Sequence, residues 1–157
     1  MLTTLRIVHL MSAMVWVGGT VVLVFVGVPA IRALEGEARA TAMRTLGRRW
    51  RPLGWSAMGI AILSGLWLTH LHGGLSSGAL STGFDRTLIL KSVLVALLVV
   101  GGLIHDYVLG PRLQRELRAG EPQAPATRRR LIRVGWCNFS LTIAVPILGA
   151  VALTYLD

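Results

Sequence analysis

The stretch GFDRTLILKSVLVALLVVGGLIHDYVLGPRL, residues 83–113, decides the fold. From about Thr87 to Leu109 it is apolar apart from Thr87, Lys91, Ser92, His105 and Asp106. That length meets the roughly 20 residues a helix needs to cross a bilayer. Lys91 is the only lysine of the chain, and the other 15 cations among its 16 Lys and Arg residues are arginines. A cation in hydrocarbon is costly and usually faces a bundle interior or a wet cavity. The plain alternative is snorkelling, because Lys91 lies only about 6 Å below the outer start of its helix at 1.5 Å per residue.

Three further apolar blocks accompany this one. The spacing predicts membrane helices over about 5–31, 53–72, 87–109 and 131–156. With 54% hydrophobic and 15% charged residues, the 157-residue chain is too apolar for a water-soluble domain. Four such helices with short connections predict an all-α fold: one integral membrane domain, an antiparallel four-helix bundle. The first block is too long for a secretory signal and is expected to remain as a helix. Pro29 should end or kink it, and Pro146 should kink the fourth helix. No repeat at a period of about 20–50 residues stands out. Cys137, the single cysteine, permits no internal disulfide.

A net charge of +9 raises nucleic-acid binding, but the placement of the charge excludes it. Of the arginines, 13 fall in segments 32–51 and 110–133, and the segment 73–86 holds only Arg86. This is the positive-inside pattern of a bacterial-type inner membrane protein. It puts both termini and the 73–86 loop outside, and sets the arginine-rich loops against anionic lipids in the cytoplasm. HGGLSSGALSTGFD (72–85) reads as a flexible outer loop, and RAGEPQAPATRRR (118–130) as an irregular inner one. RALEGEARATAMRTLGRRW (32–50) reads as a short amphipathic surface helix.

The polar residues inside the apolar blocks are the candidate site. His9 lies about as deep as Lys91 from the outer surface. A 100° step puts His9, Trp16 and Thr20 on one helix face, and His70 on a face with Trp67, Leu63 and Gly59. His72 points away from His70 and reads as an interfacial residue. His105 lies about 21 Å from the level of Lys91 along the helix. One metal cannot bind both, so His105 is either a metal ligand of a separate inner site, with Asp106 beside it and Cys137 and Asn138 at comparable depth, or a cation at a helix end. The alternative for each histidine is an imidazole satisfied by ordinary hydrogen bonds. Met11, Met14 and Met58 are ordinary packing residues or soft metal ligands.

RIVHLMSAMVWVGG (6–19) and the 83–113 stretch resemble CopD-type copper-resistance membrane domains. The first of these and RRRLIRVGWCNFSLTIAVPILGAVAL (128–153) also resemble their relatives, the HemJ-type haem proteins. The HemJ resemblance implies haem b in the outer leaflet, serving electron transfer or membrane redox chemistry. His9, His70, Lys91 and Trp16 would then be the cofactor-binding residues, with His9 and His70 as metal ligands. The CopD resemblance implies copper transport across the membrane instead. A third expectation is a structural or assembly subunit of a larger membrane complex, or a protein with a redox partner, since several glycines permit close helix contacts.

Overall fold

The computed structural model describes residues 2–71 and 83–155. His72 and most of the expected outer loop lie outside the described residues. The described residues are almost wholly helical, and the fold is an all-α membrane helical bundle. Four helical stretches are long and apolar enough to cross a membrane: Leu2–Arg32, Gly36–Leu71, Gly83–Ala119 and Ala124–Ala152. The exposed apolar side chains include Met14 at 66% and Leu63 at 69% exposure. In water so much exposed apolar surface would drive aggregation, whereas in lipid it is the expected outer surface.

The chain divides into two compact units, Met1–Gly78 and Ala79–Asp157. In the first unit, α1 (Leu2–Val22) passes through a π-helical turn, Leu23–Gly27, into the short α2 (Val28–Arg32). A turn follows, and α3 (Gly36–Leu71) returns along α1. In the second unit, α4 (Gly83–Leu103) passes through a π turn, Ile104–Leu109, into α5 (Gly110–Ala119). After another turn, α6 (Ala124–Leu153) returns along α4.

Each π turn stands just before a proline. Pro29 and Pro111 have no N–H to give the carbonyl four residues earlier. The local i+5 pattern is seen where the Val28 N–H bonds the Leu23 carbonyl and the Gly110 N–H bonds the His105 carbonyl. This wider spacing carries the chain past the missing donor. Pro29 therefore does not end the first helix; the chain stays helical to Arg32.

Two helices start well before the expected spans. The stretch 32–50 is largely the first part of the 36-residue α3, which continues through Pro52. The expected irregular stretch 118–130 is mostly helix, with a turn between Ala119 and Ala124. In both cases the polar sequence marks where the apolar span ends, and the hydrogen-bonded helix runs on. Pro146 lies inside α6 as expected. The turns use Gly36 at φ +49° and Gly120 at φ +66°, a left-handed region where a Cβ is costly. In the second turn the Gly120 and Glu121 N–H groups both bond the Glu116 carbonyl. Buried Glu116 also accepts from Arg112 Nε at 2.7 Å, tying α5 to itself.

Small residues set the helix approaches inside each unit. On α1, the Trp50 ring of α3 occupies the place a Cβ on Gly19 would take, and the same ring covers Gly54. In the second unit, the Asn138 amide lies against Gly101 and the Tyr155 ring against Gly83.

Candidate functional site

In the first unit the buried seam is made by Ser12 of α1 and by Ala57, Met58, Ala61 and Ser64 of α3. The α3 residues recur at steps of three and four, the spacing of one helix face. His9 leans into this seam. Its Nδ1 lies 2.8 Å from the Ala61 carbonyl oxygen and 3.1 Å from Ser64 Oγ. Gly65 admits the ring, since a Cβ there would stand 3.0 Å from His9 Cε1.

These contacts choose the tautomer. A carbonyl oxygen only accepts, so neutral His9 donates Nδ1–H to Ala61. The Ser64 hydroxyl is spent on the Ile60 carbonyl at 2.6 Å, which leaves its oxygen to accept. The Nε2 atom then carries the lone pair, the form in which an imidazole ligates a metal. A backbone carbonyl that takes the other ring N–H and fixes the ring in this way is a common support of a metal-binding histidine.

The other candidates of the first unit are placed differently. Trp16 is half-buried two turns along α1, where its carbonyl accepts from Thr20 Oγ1 at 2.8 Å. His70 is exposed and lies on the α3 face that carries Trp67 and Leu63, at 59% and 69% exposure. The residues that hold His9 sit on the opposite, buried face of the same helix. Met58 is 7% exposed and lies in the seam, one turn before Ala61, whereas Met11 and Met14 are exposed.

In the second unit Lys91 turns toward α6. A Cβ on Gly149 would stand 3.1 Å from its Nζ, so the lysine end rests where that helix presents only backbone. The side chain is half-buried. At the other end of α4, within the π turn, His105 Nδ1 lies 2.9 Å from Asp106 Oδ1. A Cβ on Gly135 would stand 3.4 Å from His105 Nε2. Asn138 lies against Gly101, one turn before His105, so the structure gathers His105, Asp106 and Asn138 on neighbouring turns of one unit. Cys137 is exposed. Among the described residues, no group of three or more His, Cys, Asp or Glu side chains is arranged to hold a metal ion.

Ser64, Gly135 and Gly149 were not singled out from the sequence, and Gly65 only as one of the glycines that permit close helix contacts. Their signal was present for α3, where Ala57, Ala61 and Ser64 form a small-residue stripe. A small-residue stripe marks where a neighbouring helix packs closely.

A protein-family model described as Copper resistance protein D (CopD) matches residues 43–153, well over half of the 157-residue chain. His70, Lys91 and His105 lie within the match, and His9 and Trp16 precede it. No curated protein matches the chain, and no solved structure matches it.

Proposed function

Because the chain belongs to the copper resistance protein D family, we propose that it is an inner-membrane protein that carries copper ions across the bilayer, with His9 as the first ligand. The observation that carries this reading is the anchoring of His9 Nδ1 at 2.8 Å to the Ala61 carbonyl, which leaves the lone pair on Nε2. Buried Met58, in the same seam, supplies a thioether, a donor suited to copper(I). A closed structural metal site takes about four protein ligands. A histidine and one thioether of the same seam make a sparser set. It suits an ion that must bind well enough to enter and weakly enough to leave.

The remaining candidates find places in this reading. His70 and Trp16 serve the outer mouth, and Lys91 sets a positive charge in the outer part of the second unit. His105, held by Asp106, is a separate inner station. The family match supports copper and lends no support to haem b. Anionic lipids at the arginine-rich ends belong to the same proposal.

The test is copper flux in proteoliposomes. Vesicles holding the protein should take up copper(I) faster than empty vesicles and should not take up sodium. Equal rates with and without protein would end the transport reading. The orientation is tested separately. A cysteine introduced between positions 73 and 82 in a Cys137→Ser background should react with an impermeant thiol reagent on intact spheroplasts. Labelling only after lysis would reverse the topology.

A further inference from the structure

The two units run through the same sequence of elements: long helix, π turn, proline, glycine turn and returning helix. The agreement extends to single residues. The π bond from Val28 N–H to the Leu23 carbonyl has its counterpart 82 positions on, from Gly110 N–H to the His105 carbonyl. Pro29 and Pro111 share that offset, as do Gly19 and Gly101, each of which meets a side chain from its returning helix. So do His9 and Lys91.

The turns and returning helices agree at an offset of 84. Gly36 and Gly120 both take positive φ. Gly65 receives the end of His9, and Gly149 receives the end of Lys91. Met58 and Thr142 are both buried, as are Ala61 and Val145. Gly54 and Asn138 also correspond. In the first unit the Trp50 ring fills the gap between Gly19 and Gly54, and in the second the Asn138 amide fills the gap against Gly101. The two added positions fall between Pro111 and Gly120, where α5 is longer than α2.

We infer that the chain is a tandem repeat of one membrane hairpin, in which Lys91 fills the ligand position that His9 holds in the first copy. The hydroxyl has been lost with the imidazole, since Leu148 stands at the place of Ser64. The first copy offers a lone pair held by a backbone carbonyl. The second offers an ammonium, which has three donors and no acceptor and repels a cation. Position 91 therefore decides whether the second hairpin repeats the copper position that His9 supplies in the first.

This inference deepens the copper reading and rests on it for its functional part. The functional test restores the missing groups. Wild type, Lys91→His/Leu148→Ser, and that double variant with His9→Ala are purified in detergent, loaded with copper(I) and competed against a chromophoric chelator. Wild type should hold one equivalent that depends on His9. The double variant should hold one equivalent more than wild type, and the triple variant the same number as wild type. If the double variant gains no copper while wild type keeps its His9-dependent equivalent, the inference is overturned.

The repeat itself is read without metal, so a failure of the copper reading is told apart from a failure of the repeat. In a Cys137→Ser background, His9→Cys is paired with Gly65→Cys, and Lys91→Cys with Gly149→Cys. Both pairs should be linked by the same short bifunctional thiol reagent in monodisperse protein. Failure of the 91/149 pair to link overturns the equivalence.

Discussion

Replacing His9 by alanine should weaken copper(I) binding by at least about a hundredfold. The scale comes from the supporting contacts: loss of a residue that merely orients a ligand typically costs about 10–100-fold in metal affinity, and loss of the ligand itself must exceed that. Ser64→Ala removes one such supporting contact, 3.1 Å from Nδ1, and leaves the Ala61 carbonyl in place. About tenfold, or roughly 1.4 kcal/mol, is expected for it. His70→Ala should cost less than Ser64→Ala, because His70 is exposed on the other side of α3. Competition with a chromophoric chelator measures all three. Wild-type affinity in His9→Ala, with the helical content unchanged, would remove His9 from the site.

Gly19→Leu should disrupt the first hairpin more than any change on its lipid-facing surface. The Trp50 ring already stands where the new Cβ must go, and the same ring packs against Gly54. Forcing extra carbons into a filled space typically costs about 1–3 kcal/mol. Met14→Leu, at a residue 66% exposed, should cost almost nothing. The diagnostic is rescue: Gly19→Leu with Trp50→Ala should recover part of the loss, as contacting residues fail to add. Thermal melts in a fixed detergent read wild type, Gly19→Leu, Trp50→Ala, their double variant and Met14→Leu. Additive losses in the double variant would mean that ring and glycine are not in contact.

The membrane class was legible because it depends on apolar length, which the sequence displays directly. Helix ends were less legible. Residues 36–52 are polar enough to look separate from the span after them, but helical hydrogen bonds do not stop where hydrophobicity does. Pro52, which reads as a boundary, is inside α3. For the site, Lys91 stood out in the sequence as the one lysine of the chain, and its end lies against Gly149 of α6, a neighbour that the sequence did not display. His9 was legible as a candidate, but its partners were not. They are a backbone carbonyl and a serine some fifty residues away, and a carbonyl has no sequence signature. The repeat was hidden for a related reason: the copies share geometry at glycines, prolines and π turns, while the side chains that fill their sites have diverged.

The π turns have a consequence for rotation about the helix axis. An added residue advances the helical phase by about 100°. Downstream of Leu23–Gly27, α2 therefore presents a different azimuth from the one a continuous α-helix would give it, and the same holds for α5 after Ile104–Leu109. Each π turn thus sets a fixed offset between the azimuth of the arginine-bearing end and that of the apolar stretch before it. Substitutions that re-aim Arg32, Arg112 or Arg115 need not rotate His9 or Lys91 away from the glycines they rest on. One end of each hairpin is free to change its surface while the other keeps its aim.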